Sequence, residues 1–528
     1  MSTAHLAILL HAHLPFVHHP EHRSFLEEEW LFEAITETYA PLLMSWEHLH
    51  EDEVPFRISM SLTPPLLEML ANPLLQKRYR AYLEQRIKLM TREAAHKGRS
   101  AAERAIALHY LERFRSVRDF CVRRHEGNIL SAFRAMQEAG HLEVLASAAT
   151  HGLLPLMLTP NAVRAQVEVG IETVTRHMGR RPRGFWLPEC AYGPGVDALL
   201  AEAGIHYFLV DAHGMLNGFP APPHGVHAPV KCPSGVAVFG RDLESSKQVW
   251  SSEEGYPGDG AYREFYRDLG YDAAYDYIRP YLREDGVRRN LGVKYHRVTG
   301  RVGLHEKQLY DRAAALQKAS AHGGHFVFCR QHQVRFLKAH MQPPPVIVAP
   351  YDAELFGHWW YEGPEFLEQL FRTAQLVRDD FVVSTLSEYL EQHPPAAVST
   401  PSSSSWGDKG YFDVWLNGSN DWIYRHLHEA EERMAELARV YSATPPRPAQ
   451  AALNQAAREL LLAQSSDWAF LMSVGASAPY AEKRTRNHLH RFNRLYQMIR
   501  AGQVDSKYVA AMYALNPIFL DVDYRVFA

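Results

Sequence analysis

The sequence predicts an α/β protein built as a barrel-like array of βα units, and three observations carry that expectation. Eight short apolar runs have the profile of buried parallel strands: LAILL (6–10), FRISMSL (56–62), LEVLAS (142–147), GFWL (184–187), YFLV (207–210), VAVFG (236–240), VIVA (346–349) and FVVS (381–384). Helical patterns separate most of them, as successive βα units require. No GxGxxG follows the first run, which favours a barrel over a nucleotide-binding sheet. With 528 residues the chain has room for two or three domains, or for one barrel carrying insertions.

Taken in order, the runs share a feature beyond their apolarity. The first ends in HAHLP, the third in THG, the fourth in PECAYG, the fifth in DAHG and the seventh in YDAELFGHWW. In a barrel the carboxyl ends of the strands carry function, so these clusters mark the mouth. Residues 74–124 are charged, Arg-rich and helical in character, an excursion packed on the barrel. The Pro- and Gly-rich stretch 211–235 reads as a loop, part of a small insertion about 192–240. HPPAAVSTPSSSS (393–405) is the best linker candidate and divides a catalytic barrel (1–395) from a C-terminal helical domain (405–528). In that domain Ile423, Leu427, Ala430, Met434, Leu437 and Tyr441 recur at spacings of three and four, one stripe of an amphipathic helix.

Bulk composition narrows the function classes. A net charge of −4 offers no electrostatic footprint for nucleic acid and no attraction to a membrane surface. No apolar run reaches the roughly 18–20 residues needed to span a bilayer, and MSTAHLAILLHAH lacks a basic leader, so a cytoplasmic location is expected. Four dispersed cysteines without a CxxC pair fit a reducing compartment and argue against a disulfide framework or a cysteine zinc site. Ten Trp, 26 Tyr and 24 Phe suit flat amphipathic ligands, although most must serve the core.

Two chemistries compete at the mouth. Glu189, after Trp186-Leu187-Pro188, and Asp352, after the 346–349 run, are carboxylates at different strand ends with aromatics beside them. Alone, such an acid more often pairs with an Arg or caps a helix. As a pair they match glycoside hydrolysis, in which one acid protonates the leaving oxygen and one carboxylate faces the anomeric carbon. The rival is a metal-dependent hydrolase, with His11-x-His13 completed by His151, Asp211 and His213. That reading gives no role to Trp186, Trp359, Trp360, Trp406 or Trp415. A glycan binder without catalysis would need the Trp residues but not the acids.

At these residues the chain resembles glycoside hydrolase family 57. HAHLPF (11–16), LEVLASAATHGLLPL (142–156), WLPECAY (186–192), YDAELFGHWWYEG (351–363) and SSWGDKGYFDVWLNGSNDW (404–422) look like the family's five sequence regions. Within the family the chain is similar to the 1,4-α-glucan branching enzymes and to related α-amylases. The resemblance implies an incomplete (β/α)7 TIM-like barrel with helical insertions and a C-terminal α-helical domain closing over the cleft. It implies a retaining mechanism without metal or organic cofactor, with Glu189 as nucleophile and Asp352 as acid/base, the carboxyls roughly 5–5.5 Å apart. His11, Trp30 and His151 match positions lining the −1 subsite. Arg241, Trp250, Gly255, Trp406, Trp415 and Asp467 match substrate-contacting positions, and His13, Trp186, Glu354, His358 and Trp359 stand in the same motifs.

The implied donor and acceptor are α-1,4-glucans such as amylose or glycogen, and the chain is expected as a monomer or small homo-oligomer. Transfer to a 6-hydroxyl makes an α-1,6 branch, whereas transfer to water is amylolytic. Trp250, Trp406 and Trp415 form the expected aromatic gate against water. The 211–235 stretch lacks the Tyr that many branching enzymes of the family place over the site. A short lid admits water, so the expectation is a branching enzyme with appreciable hydrolysis.

Overall fold

The computed structural model describes residues 3–251, 254–443 and 445–528. Nine strands form one sheet: β1 (Ala4–Ala12), β2 (Ile58–Leu62), β3 (Leu142–Ser147), β4 (Gly184–Trp186), β5 (Tyr207–Val210), β6 (Val230–Lys231), β7 (Ala237–Gly240), β8 (Val346–Asp352) and β9 (Phe381–Val383). Their order is β6-β7-β5-β4-β3-β2-β1-β8, with β9 also on β1, and every pairing is parallel except β6–β7. Seven parallel strands, β1 to β5 with β7 and β8, thus make the expected incomplete (β/α)7 barrel. Its open seam lies between β7 and β8. Just past β7 the Asp242 N–H donates to the Val348 carbonyl at 2.9 Å, so the seam is touched without a ladder among the described residues.

β1 pairs with three other strands, and its sequence explains how. All nine of its residues are buried, as a parallel strand covered on both faces demands. One edge pairs with β8 from His5 to His11. The other pairs with β9 over Ala4–Leu6 and with β2 over Leu9–Ala12. The register sets His11 beside Asp352, so two mouth residues are neighbours by backbone pairing alone.

Two long helices, Pro73–Ala94 and Ala101–Arg118, pack against each other between β2 and β3. Asn72 caps the first and a Ser100/Glu103 capping box starts the second. Residues 192–240 differ from the expected insertion. They contain a helix (Val196–Glu202) and the barrel strands β5 and β7, and only 211–235 departs from βα order. The C-terminal helices are Trp422–Val440, Arg447–Ala463, Ser466–Val474, Ala478–Arg500 and Ser506–Leu515. On the first, Ile423, Leu427, Ala430, Met434 and Leu437 are buried, while Tyr441 lies just past its end and is half-buried.

The Ser/Pro-rich stretch 393–405 is no loose tether. Its backbone pairs with the barrel: Ser399 N–H to Lys231 O at 3.0 Å, Thr400 N–H to Phe219 O at 2.9 Å, Ser402 N–H to Gly214 O at 2.9 Å and Tyr192 N–H to Ser404 O at 2.9 Å. Small side chains permit this close approach, and Ser399, Ser404 and Ser405 are buried. The same bonds pin down 211–235. No helix among the described residues is long and apolar enough to cross a membrane.

Candidate active site

Glu189 sits in a tight turn directly after β4. Its φ of 61° and that of Cys190 (50°) lie in the left-handed region, as does that of His151 (57°) after β3. Non-glycine residues there cost about 1–3 kcal/mol each and persist only when the surroundings hold them. The surroundings are visible. Trp406 N–H donates to the Glu189 carbonyl at 3.0 Å, and the indole Nε1 donates to Oε2 at 2.9 Å. Ser466 Oγ donates to Oε1 at 3.3 Å, and His151 Nδ1 lies 3.6 Å from the same oxygen. The turn aims the carboxylate, and residues more than 200 positions downstream fix it.

Asp352 ends β8 in regular extended geometry. Next to it in the sheet, His11 stacks on the buried Trp186 ring (centroids 4.7 Å) and its Nε2 meets His151 Nε2 at 3.0 Å. A path of contacts therefore runs from Asp352 through His11 and His151 to Glu189. Behind Asp352, Arg241 bonds Asp211 Oδ2 at 3.1 Å. Beside it, Glu354 accepts from Tyr39 Oη and from the His13 N–H.

Electrostatics separate the two acids. Burial pushes Glu189 up to about 7, opposed by the Trp406 indole, the His13 ring and the Ser466 hydroxyl. Burial also pushes Asp352 well above the usual carboxylate range, reinforced by Glu354 and by Glu189 and opposed by Arg241. Of two like charges in one pocket, the acid without donors keeps the proton. Burial leaves His11 and His151 neutral, far below the ordinary imidazole value. Burial would lower His13 too, but the Asp467 carboxylate at 3.0 Å holds it above.

This site can be set beside known proteins. The family model Glycosyl hydrolase family 57 matches residues 7–336, and the model 1,4-alpha-glucan branching enzyme, C-terminal, matches 426–527. The chain belongs to glycosyl hydrolase family 57. It is 34% identical to the 1,4-alpha-glucan branching enzyme TK1436 of Thermococcus kodakarensis, over 95% of this chain and 75% of that one. Among solved structures it resembles the alpha-amylase AmyC from Thermotoga maritima (TM-score 0.93, 44% identity, 100% and 99% of the two chains). It also resembles the branching enzyme from Pyrococcus horikoshii (TM-score 0.89, 32% identity, 99% and 96%).

Within this family 57 chain, the remaining expected residues divide into those with exposed surface and those that are buried. Trp406 contacts Trp250 edge-on (6.3 Å) and Trp186 (4.9 Å), and Trp250 is partly exposed. Trp359 is exposed and stacks on Phe265 at 4.3 Å. Trp30 is half-buried, 6.2 Å from Tyr480. His358 is tied to Glu37 through a 2.6 Å bond. By contrast Trp186, Trp360, Tyr361 and Trp415 are buried and present no face to a sugar. Trp186 backs His11, and Trp415 fills the space under Gly407, where a Cβ would lie 2.6 Å from the ring. Of the three Trp expected at a gate, Trp250 and Trp406 are in ring contact, whereas Trp415 is buried. At Gly255 a Cβ would lie 2.3 Å from the Ser251 carbonyl, so the close backbone approach there requires glycine.

The rival metal-ligand set of His11, His13, His151, Asp211 and His213 does not come together as one cluster among the described residues. Asp211 is committed to Arg241, and His213 Nε2 lies 2.6 Å from the Gly410 carbonyl. His13, His151 and Asp467 do bring donor atoms within 4.8 Å of one another. However, the His13 and His151 rings stack at 3.8 Å with 18° between planes. In-plane lone pairs on stacked rings run side by side and do not converge at the roughly 2.0–2.1 Å a zinc ion needs. Sequence reasoning missed Ser466, Tyr39 and the buried Arg263–Glu37 pair at 3.0 Å that holds His358. Their partners are far away in the chain, and no local pattern announces them.

Proposed function

We propose that this chain is a retaining 1,4-α-glucan branching enzyme with appreciable hydrolytic activity. Asp352, protonated, gives its proton to the α-1,4 glycosidic oxygen while Glu189 attacks the anomeric carbon. The C–O bond breaks, a glycosyl ester forms on Glu189, and the new chain end leaves as an alcohol. Asp352 then takes the proton of the acceptor hydroxyl as that oxygen displaces Glu189, so two inversions give net retention. Neutral His11 and His151, buried and hydrogen-bonded to each other, wall the pocket beside Glu189, where the His13 charge favours the Glu189 anion and Asp467 opposes it.

The observation that carries this reading is the unequal provision for the two acids. Glu189 has the Trp406 and Ser466 donors for its anion, and Asp352 is flanked by Glu354 with no such donor among the described residues. Branching, over hydrolysis alone, is favoured by the likeness to branching enzymes over nearly the whole chain and by the Trp406–Trp250 contact, which shields the ester from water. A second reading, an α-1,4-glucan hydrolase, is favoured by the 44% identity to AmyC and by the pinned 211–235 stretch, which supplies no lid.

Incubation with amylose tests the proposal. New α-1,6 linkages should exceed new reducing ends, with both detectable. Reducing ends without branches would leave the hydrolase.

A further inference from the structure

Between the helices Glu28–Ala34 and Ala40–Glu51 the chain makes one π-helical turn, Ile35–Tyr39, and all five of its residues are buried. Single π-turns within α-helices are rare and are frequent at functional sites. This one docks on the loop that follows Asp352 in three ways. Tyr39 Oη donates to Glu354 Oε1. Glu37 bonds His358 Nδ1 at 2.6 Å, and Arg263 holds Glu37 at 3.0 Å. The Glu37 carbonyl lies so close to Gly357 (φ 123°) that a Cβ there would be 1.9 Å from it. Backbone packing thus ties the turn to the loop and delivers the Tyr39 hydroxyl to Glu354.

That hydroxyl bears on where a proton sits. Asp352 faces two carboxylates, Glu354 and Glu189, and one cation, Arg241. Burial pushes the nearby Cys190 thiol far up, so it stays neutral. Glu354 in turn faces Tyr39, the His13 N–H at 3.3 Å and the His13 ring. Burial raises Glu354 above the ordinary carboxylate value, and Tyr39 and His13 oppose the rise. Two neighbouring acids share a proton unequally, and the one with donors gives it up. Burial and the Glu354 charge hold the Tyr39 phenol well above its ordinary value, so Tyr39 donates a hydrogen bond and keeps its own proton.

We propose that Tyr39 is a positioning residue for the acid: its hydroxyl keeps Glu354 ionised, and the charge of Glu354 keeps the proton on Asp352. The proposal rests on the acid/base role of Asp352. Tyr39→Phe, which retains the buried ring, tests it through the pH profile on amylose. Glu354 then lacks a donor to its anion, worth roughly tenfold or more in its ionisation, and takes up the proton that Asp352 would hold. The alkaline limb of kcat/KM should move to lower pH, with rates on that side falling roughly tenfold and the acid limb little changed. In the Glu354→Gln background the same substitution should move nothing further. An equal loss at every pH, or the same shift in both backgrounds, overturns the proposal. Infrared difference spectra against the matching Glu354→Gln proteins read the proton directly. The protonated-carboxyl band of Glu354 should be absent from the wild type at neutral pH and present in Tyr39→Phe. Its presence in the wild type, or its absence from the variant, overturns the proposal whatever the activity. Should Asp352→Asn retain wild-type turnover of amylose, the acid assignment fails instead, and the infrared comparison still decides whether Tyr39 governs Glu354.

Discussion

The two carboxylates at the barrel mouth are treated in opposite ways. Glu189 occupies a left-handed turn after a three-residue strand and is held by groups from residues 406 and 466. Asp352 ends a seven-residue strand, is placed by ladder bonds to β1, and receives a neighbouring negative charge from Glu354. Under the proposed roles, donors brought from elsewhere favour the anion that attacks, and their absence favours the proton on the acid.

The sharpest way to break the comparison is to remove each acid. Asp352→Asn should lower kcat on amylose by about 10²–10⁴-fold, the range of general acid–base catalysis, and Glu189→Gln by at least as much. Initial rates of reducing-end and branch formation measure both. Near-native rates in either variant would end the assignment of roles.

Next in size is Trp406→Phe, which removes a hydrogen bond to an anion, worth about 1.5–3 kcal/mol, or roughly 10–150-fold in kcat/KM. It should also raise the ratio of hydrolysis to branching, read from the same products. The pH profile sharpens the point. Glu189 must be ionised, so kcat/KM should fall as pH drops through about 7 and fall again at higher pH where Asp352 loses its proton. Without the indole donor the acid limb of Trp406→Phe should move to higher pH.

Glu354→Gln tests the other acid. Removing the like charge should lower the Asp352 pKa and draw the alkaline limb to lower pH with the acid limb little changed. An unmoved alkaline limb would mean that Glu354 does not help Asp352 keep its proton. The smallest effect is expected from Ser466→Ala, about 0.5–1.5 kcal/mol, or 2–10-fold in kcat/KM.

The contrast between the acids also marks what the sequence could reveal. β3 and β5 were readable to the residue because parallel strands buried on both faces are unbroken apolar runs. Asp352 was readable for the same reason, standing where such a run stops. The stretch 393–405 was misleading, because Ser and Pro signal a linker whether or not the backbone finds partners. Trp186, Trp360 and Trp415 looked like sugar platforms, since sequence cannot tell a Trp facing a cleft from one filling a core. Ser466 was invisible: a hydroxyl becomes important only when the fold brings it across 277 positions to a carboxylate.

The strip from 397 to 404 that is stitched onto the barrel rim has an evolutionary consequence. Because it delivers Trp406 onto Glu189, the barrel and the helices that follow cannot be traded as independent modules. A hybrid that paired this barrel with a foreign C-terminal half would inherit both acids yet lose the setting that tells them apart.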